Sequence, residues 1–326
     1  EVAELAEAQL HEKGSVLAVV NTKKSARALY QAVVDRKIPC IHLYHLSTNM
    51  CPAHRLRVLN KIKAKLKSKT AKPVICISTQ LIEAGVDIDF GAVIRYLAGM
   101  DSIAQSAGRC NRHGLREDDD LGNVFIVNPQ EENIDRLKDI VIGADKAQTV
   151  LADFKGKSNL IGLEAMAAYF EKYYFARKDE MRYKVGVDDI GRDDDLFNLL
   201  SINSLSVKAH RTAPEIQFVQ SFQSAAKAFR VIDSPTRGVI VPYQEGDEII
   251  IELCGASDLE KEFRLLKKAQ RYSVNLFRHE FEKLEKAGAI HEVQKGAGVF
   301  YLNKEYYSKD FGWSEEPVSN AKVLIE

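Results

Sequence analysis

Apolar residues in the first 130 positions of this 326-residue chain fall into short uninterrupted runs separated by longer amphipathic stretches. A short apolar run without polar alternation is typical of a strand buried on both faces of a parallel sheet. The stretches between the runs carry apolar residues at three- and four-residue spacing, which predicts helices. The pattern therefore predicts an α/β domain in which helices cover both faces of a parallel sheet. The runs begin at Val16, Cys40, Val74, Ala92 and Val124.

Two of the predicted helices have a clear apolar face. Asn21 and Thr22 precede the first helix, and threonine is a favoured N-cap residue. A helix N-terminus beside a strand end attracts phosphate, so Thr22 is either a purely structural cap or a phosphate contact. The second helix starts near Ala53. The residues expected to be buried are Ala26, Leu29, Tyr30 and Val33 in the first helix and Leu56, Leu59, Ile62 and Leu66 in the second.

The pattern after Pro129 becomes helical and polar, with helices predicted over residues 131–153 and 163–174. The charged, glycine-rich residues 186–195 are expected to form a flexible boundary. A smaller α+β domain is expected from about position 212. We therefore expect three segments, namely an α/β domain at 1–130, a helical linker at 131–211 and an α+β accessory domain at 212–326.

Four elements are predicted in the accessory domain. Residues 238–243 and 248–253 are predicted to pair as a hairpin. A capping box, Ser257-x-x-Glu260, opens a helix, and a second helix is predicted over residues 276–286. Residues 290–293 and 299–302 are predicted to form a second hairpin across a glycine-rich turn.

The candidate chemistry lies between Ile77 and Gly114. A helix starting near Ser102 would place Gln105, Arg109 and Arg112 on one stripe, with Gly108 in its interior. A guanidinium keeps its charge and binds phosphate in a forked geometry, so this stripe suits a polyanion. An ordinary polar helix face is the alternative.

A second candidate group follows the strand that begins at Val74. Thr79, Gly85 and Asp87 lie beyond the carboxyl end of that strand, where open α/β sheets bind ligands. Gly85 is expected to close a short helix in this segment.

The two candidate groups resemble known motifs. Ser78-Thr79 with Glu83-Ala84-Gly85-Val86-Asp87 resembles motif V of superfamily 2 helicases, and the segment from Gln105 to Arg112 resembles motif VI. The sequences of both segments are most similar to those of the CRISPR-associated helicase–nuclease of type I systems. The resemblance implies that residues 1–130 form the second RecA-like lobe of a helicase motor.

The resemblance also implies roles for these residues. ATP and Mg²⁺ would be held mainly by the first lobe of the motor, with Gly85, Asp87, Gln105, Arg109 and Arg112 as the nucleotide-facing residues of this lobe. Arg109 and Arg112 would stabilise charge on the transferred phosphoryl group, and Gln105 would orient the nucleotide or its water. Asp87 would link the ribose or the arginines to the DNA site. The family pattern often has a further arginine where this chain has Ser106.

Single-stranded DNA is the second implied ligand. By their match to the family, Asn21, Thr22, Ser47, Thr48 and Thr79 would contact the strand. The chain between Ala53 and Ile82 also contains basic residues and no acidic one, with Lys61 and Lys65 as the main candidates for a DNA track. A solvated helix face followed by a basic loop is the alternative. The other basic residues of this run are Arg55, Arg57, Lys63, Lys67, Lys69 and Lys72.

Several features of the implied enzyme are not encoded in these residues. The sequence contains no G-x-x-x-x-G-K-[ST] loop, and no histidine is followed directly by aspartate. We therefore expect a C-terminal fragment that is inactive alone, whose partners are the absent nuclease and first lobe, single-stranded DNA and a CRISPR RNA-guided surveillance complex. A phage inhibitor protein is a further candidate partner. The alternatives are a stand-alone binding module and the C-terminal half of another superfamily 2 translocase.

Composition adds limits to this picture. Lysine plus arginine equals aspartate plus glutamate at 46 each, so any attraction for nucleic acid must be local. The five cysteines contain no C-x-x-C pair, which gives no indication of a metal site or disulfide framework and favours a reducing cytoplasm. No apolar run approaches the roughly 18 residues of a membrane helix, so we expect no membrane association.

Overall fold

Five parallel strands form the central sheet. The computed structural model has its strands at β1 (Ser15–Val20), β2 (His42–Leu46), β3 (Val74–Thr79), β4 (Ala92–Tyr96) and β5 (Asn123–Val127). Their order is β2-β3-β1-β4-β5, and each neighbouring pair runs parallel. The predicted α/β fold with a RecA-like parallel sheet is thus confirmed, although β2 begins two residues later than expected.

The structure describes residues 1–68, 72–83, 85–112, 114, 122–156, 159–209, 219–230, 236–255 and 258–318. The chain divides into two compact units, one formed by residues 1–162 with 235–326 and the other by residues 163–234. The boundaries of these two units differ from those of the three segments expected from the sequence, which remain a prediction.

Helices cover both faces of the sheet because the side chains of β1 alternate between two cores. Helices α1 (Val2–Lys13) and α2 (Lys23–Asp35) pack on one face, and α3 (Pro52–Lys67) contributes to the other. On β1, Val16, Ala18 and Val20 belong to the first core and Leu17 and Val19 to the second. In α2 the predicted apolar face is confirmed, since Ala26, Leu29 and Val33 are buried and Tyr30 is partly buried.

The apolar face of α3 differs from the prediction. Ile62 is fully buried and Leu59 and Leu66 are partly buried, but Leu56 is 50% exposed. His54 is buried instead, and its ring stacks on Tyr243 with the ring centroids 4.2 Å apart. The C-terminal part of the chain covers the first turns of α3 along the side of His54, which leaves Leu56 at the surface.

Two further helices, α4 (Met100–Ala107) and α5 (Lys138–Asp153), complete this part of the first unit. The helix predicted from residue 131 thus begins seven residues later, after a series of turns. A single 3₁₀ turn, Gln80–Ile82, follows β3.

The second unit contains short elements. They are α6 (Leu163–Ala176), β6 (Lys184–Val185), α7 (Val187–Ile190), β7 (Asp194–Asp195), α8 (Leu196–Leu200), α9 (Ser204–Ala209) and α10 (Phe222–Ala228). Strands β6 and β7 pair antiparallel around α7, so the segment 186–195 that was expected to be flexible contains regular structure. The predicted helix at 163–174 is confirmed.

The C-terminal part of the first unit has a four-stranded sheet in the order β10-β11-β8-β9. Strands β10 and β11 form the predicted second hairpin. A 3₁₀ turn, Gln270–Tyr272, leads into β9, and another, Lys304–Tyr306, precedes β12. The elements here are β8 (Thr236–Ile240), α11 (Glu245–Cys254), α12 (Leu259–Ala269), β9 (Ser273–Phe277), α13 (Arg278–Lys286), β10 (Ile290–Glu292), β11 (Phe300–Leu302), β12 (Tyr307–Ser308) and β13 (Gly312–Trp313).

Three predictions for this region were wrong or displaced. Residues 248–253 form part of α11 and not a strand, because Gly246, Ile249, Ile250 and Leu253 are buried at helical spacing and the first turn is acidic. Asp258 caps α12 through the N–H groups of Glu260 and Lys261, while Ser257 lies outside the described residues. The helix predicted from position 276 begins at position 278, since the preceding residues pair in β9.

A small C-terminal hairpin, β12 with β13, packs against the loop that follows β2. The Trp313 N–H donates to the Asn49 carbonyl at 3.0 Å, and Asn49 Nδ2 donates to the Trp313 carbonyl at 3.1 Å. The Cys51 N–H donates to the Tyr307 hydroxyl at 3.1 Å, and His54 Nδ1 lies 3.0 Å from the same hydroxyl. These bonds fix the loop after β2 from the C-terminal side.

Gly312 is required for this contact. Its φ is +79°, and a Cβ there would lie 2.2 Å from the Asn49 carbonyl oxygen. We expect Gly312→Ala to lower the free energy of unfolding by at least about 3 kcal/mol, from backbone strain plus a clash with main chain. Gly296→Ala is the matched control, because its φ is +84° with nothing within 4 Å, and should cost only about 1 kcal/mol. Urea unfolding of this chain measures both, and equal effects would contradict the packing described.

Burial of His45 and His54 makes the same region sensitive to acid. Burial lowers the pKa of each to about 4, from the usual value near 6.5. Between these values the unfolded chain binds more protons, so stability is lost as the pH falls below about 6.5. We expect a loss of about 1–2 kcal/mol per histidine at pH 5. Thermal unfolding between pH 7.5 and 5 should become less pH-dependent in His45→Gln or His54→Gln, and not in the exposed control His291→Gln.

Candidate nucleotide and nucleic-acid site

Two loops meet at the carboxyl edge of the sheet. The first follows β3 through the 3₁₀ turn to Asp89, and the second follows α4. The predicted helical stripe is wrong, because α4 ends at Ala107 and Gly108 is its C-cap. Of the three residues expected on the stripe, only Gln105 lies on the helix, and Arg109 and Arg112 lie in the loop beyond it.

Backbone bonds join the two loops. The Phe90 N–H donates to the Arg109 carbonyl at 2.9 Å, and Phe90 and Cys110 form a parallel bridge. The Arg112 N–H donates to Asp89 Oδ1 at 3.0 Å. The residues that resemble motifs V and VI are therefore adjacent in space, and the pairing with Phe90 explains why the chain leaves the helix after Ala107.

Arg109 points into the protein. Its side chain is 5% exposed, and its two terminal nitrogens donate to the carbonyls of Glu83 and Val86. Burial, and next the charge of Arg112, lower the pKa of this guanidinium. Gly85, with φ +70°, provides the left-handed turn between the two acceptor residues. Arg109 therefore holds the loop in shape, in contrast to the outward-facing position expected from the helical stripe.

Arg112 is the exposed arginine of this group. Its Nε donates to Asp87 Oδ1 at 2.9 Å, and the side chains of Arg112 and Asp87 are 37% and 63% exposed. Gln105 on α4 and Gly85 are also exposed. The structure thus brings Gly85, Asp87 and Arg112 together at the surface, where a guanidinium held by a carboxylate is available to a phosphate group.

A buried ion pair lies behind these loops. Arg95, on β4, is fully buried, and its Nε lies 3.0 Å from Glu83 Oε1. Its Nη1 donates to Asn21 Oδ1 and to the Tyr96 carbonyl, both at 2.7 Å. The Glu83 carboxylate accepts the hydroxyls of Ser102 at 2.7 Å and Ser106 at 3.1 Å.

Such a pair is stable only when nearly all of its polar atoms are bonded, because desolvation of two charges costs several kcal/mol. Burial lowers the pKa of Arg95 and raises that of Glu83, and the attraction between the two charges opposes both shifts. Arg95 was not among the residues predicted from the sequence to be functional. The available signal was a charged residue within AVIRY, a strand predicted to be buried on both faces.

The N-terminus of α2 is bound by a carboxylate of the chain itself. Thr22 caps α2 by accepting from the Ser25 N–H at 3.0 Å, as predicted. Glu132 accepts from the N–H of Asn21 at 3.0 Å, from Asn21 Nδ2 at 2.8 Å and from the N–H of Thr22 at 3.1 Å. The donors expected to meet a phosphate thus already have an anionic partner. Nothing in the sequence indicated Glu132, which lies 111 residues after Asn21.

The other predicted DNA contacts differ in accessibility. Ser47 is 1% exposed and Thr79 is 9% exposed, so neither side chain is open to a strand in this structure, whereas Thr48 is exposed. On α3, Lys61 is exposed and Lys65 partly exposed. Lys69 lies outside the described residues.

An open groove runs along the exposed side of α3. Its volume is about 480 Å³, and Gln244 from the C-terminal part forms its other edge. Arg57 and Lys61 give it positive charge, and Leu56 gives it an apolar patch. The residues of α3 that line it are Ala53, Leu56, Arg57, Asn60, Lys61 and Ala64.

Three other expectations can be compared with the described residues. They contain no cluster of three or more metal-binding side chains. None of the five cysteines, all of which lie among the described residues, forms a disulfide bond. Across the same part of the chain, no helix has the length and hydropathy needed to span a membrane.

Known proteins share sequence with part of this chain. Residues 12–115 match the family described as CRISPR-associated nuclease/helicase Cas3, C-terminal. The Cas3 nuclease/helicase of Methanothermobacter thermautotrophicus is 31% identical over 151 residues, which cover 44% of this chain and 16% of that protein. The chain therefore spans a small part of the curated relatives that it matches.

Solved structures share the fold. T. fusca Cas3 has a TM-score of 0.58 at 12% identity, covering 92% of this chain and 37% of that one. A structure of the same protein described as Cas3-ATP has a TM-score of 0.53 at 12% identity, with the same coverage. A chain from a structure described as a CRISPR RNA-guided surveillance complex, pre-nicking, has a TM-score of 0.51 at 12% identity and covers 92% of this chain and 38% of that one.

Proposed function

We propose that this chain supplies the second RecA-like lobe and the C-terminal domain of an ATP-dependent DNA helicase–nuclease acting in CRISPR interference, the family that residues 12–115 match. The observation that carries the proposal is the joined pair of loops that presents Asp87 and Arg112 at the carboxyl edge of the sheet. An exposed guanidinium is what a second lobe must offer to the phosphates of a nucleotide held by a first lobe. The T. fusca structure described with ATP supports the choice of nucleotide.

The roles of the two arginines differ in this proposal. Arg112 stabilises the charge that develops on the transferred phosphoryl group, and Arg109 positions the loop through the carbonyls of Glu83 and Val86. Asp87 orients Arg112, and Gln105 orients the nucleotide or its water. ATP, with Mg²⁺ held mainly by the first lobe, supplies the free energy for movement along the strand.

Single-stranded DNA is the second ligand in this proposal. Thr48, Lys61 and Lys65 are the accessible members of the predicted contact set. Asn21 and Thr22 reach a phosphate only after Glu132 leaves their donors. The partners of the whole protein are then its nuclease and first lobe and a CRISPR RNA-guided surveillance complex, which the similarity to a chain in such a complex supports.

The first test concerns Arg112 in the full-length enzyme. Arg112→Ala should lower kcat for ATP hydrolysis by at least about 10³, because an arginine finger contributes roughly that factor or more. Affinity for single-stranded DNA should stay nearly unchanged. The matched control is Arg36→Ala, since Arg36 has a similar exposure of 34% and also pairs with carboxylates, those of Glu4 and Glu7.

Steady-state hydrolysis and fluorescence anisotropy on the same preparations measure the two quantities. A kcat within threefold of that of the Arg36→Ala control, or a parallel loss of DNA affinity, would remove Arg112 from the finger role. Hydrolysis by the present chain alone would contradict the assignment of the phosphate-binding elements to another lobe.

The second test concerns the basic face of α3. Lys61 and Lys65 are one helical turn apart, so both can meet the same strand. Changing both to Gln in the full-length enzyme should reduce the slope of log K against log salt by about 1.4, or 0.7 for each lost phosphate contact. Lys267→Gln with Lys268→Gln, on the exposed side of α12, is the matched control and should leave the slope unchanged. An unchanged slope in the Lys61 and Lys65 variant would make this helix face a solvated surface.

A further inference from the structure

The Glu83–Arg95 pair connects segments that the proposed function assigns to different ligands. Arg95 Nη1 donates to Asn21 Oδ1 at the carboxyl end of β1, and its Nη2 donates to Ser102 Oγ of α4 at 3.3 Å. Its Nε lies 3.0 Å from the Glu83 carboxylate in the loop after β3. One fully buried side chain therefore contacts three different segments.

The contact with Asn21 leads toward the DNA side. Asn21 Nδ2 donates to the Leu97 carbonyl at 2.9 Å and to Glu132 at 2.8 Å, while Asn21 Oδ1 accepts from Arg95. A phosphate that took the N–H groups of Asn21 and Thr22 would displace Glu132 from the same residue that holds Arg95. The side-chain amide of Asn21 therefore bonds both the carboxylate that occupies the N-terminus of α2 and the buried guanidinium.

The contact with Glu83 leads toward the nucleotide side. The Glu83 carboxylate accepts both serine hydroxyls of α4, and its backbone carbonyl accepts from Arg109. Asp87, four residues further on, binds Arg112 at 2.9 Å. Displacement of Glu83 would therefore shift the loop on which the position of Arg112 depends.

We propose that the buried Glu83–Arg95 pair is a positioning device that transmits occupancy of the N-terminus of α2 to Arg112. The inference rests on the function proposed above. The pair lies in a packed interior where water cannot replace a lost partner. A change at Asn21 therefore alters how Arg95 bonds its other partners, which include Glu83, Ser102 and the Tyr96 carbonyl. Neither Glu83 nor Arg95 touches the nucleotide in this proposal, and both act through the loop.

The experiment uses the full-length enzyme and compares kcat for ATP hydrolysis with and without saturating single-stranded DNA. Because loss of Arg95 risks unfolding, the principal variant is Ser102→Ala with Ser106→Ala, and Glu83→Gln is the second. The stimulation ratio should fall at least about tenfold in both, since small displacements of catalytic groups cost up to about 10² in rate. The Kd for single-stranded DNA should stay within about twofold of the wild-type value.

Two controls separate positioning from a merely structural role. Ser15 is a buried serine whose Oγ accepts from the Gly91 N–H at 2.9 Å, a bond that involves neither Glu83 nor Arg95. Ser15→Ala should therefore keep the wild-type stimulation ratio. Ser102→Thr keeps the hydroxyl and should also retain the ratio. A fall in Tm together with an equal loss of basal and stimulated activity would indicate a structural role and overturn the proposal.

The remaining outcomes distinguish this proposal from the one on which it rests. If the wild-type enzyme shows no hydrolysis that depends on single-stranded DNA, the proposed function fails and the positioning role fails with it. If the wild-type enzyme is stimulated and the serine and glutamine variants are stimulated by the same factor, only the positioning role is overturned.

Discussion

An arginine buried near the carboxyl end of β4 determines much of the architecture around it. The guanidinium of Arg95 cannot lose its proton at any physiological pH, so its burial requires an anion and several acceptors in fixed directions. Glu83, Asn21 and the carbonyl of Tyr96 meet that requirement, and each comes from a different part of the edge where the strands end. The loop after β3, the start of α2 and the first turn of α4 are therefore constrained together, which places the candidate nucleotide-facing residues next to each other.

The fold was predictable from the local sequence pattern where an uninterrupted apolar run could only be a strand buried on both faces of the sheet. Val74 to Ile77 has no polar residue, and β3, which contains it, pairs with a strand on each side. The same logic failed at Glu248 to Leu253, where three consecutive isoleucines indicated a strand although their burial follows helical spacing. A run of β-branched residues is ambiguous when acidic residues precede it. The acidic residues can belong to a hairpin turn, but they also stabilise the N-terminus of a helix. For α3, the burial of His54 in place of Leu56 depends on Tyr243, which no local pattern could indicate.

The candidate site was predictable as a set of residues and not as a geometry. Helical spacing put Arg109 and Arg112 on one stripe, but α4 ends at Ala107 and the Arg109 side chain donates to the carbonyls of Glu83 and Val86. The two arginines consequently face in different directions, one into the protein and one to the surface. This separation depends on two tertiary contacts of Arg109, with Val86 and Glu83, which lie 23 and 26 positions before it in the chain. Local spacing carries no information on such contacts.

The start of α2, where two of the proposed DNA contacts lie, is constrained by carboxylates and by the C-terminal hairpin. Glu132 takes the N–H groups at the start of α2, and Glu280 binds Lys23 in its first turn at 3.2 Å. The Lys23 ammonium also lies 5.0 Å from the centre of the Trp313 ring, and Trp313 fixes Asn49 in the loop after β2. A phosphate that binds at the start of α2 must compete with both carboxylates. Thr48, in the loop after β2, is exposed, so burial does not keep a phosphate from its side chain. The C-terminal part of the chain therefore acts on the lobe directly, because it supplies one of the two carboxylates and the ring that holds the neighbouring loop in place.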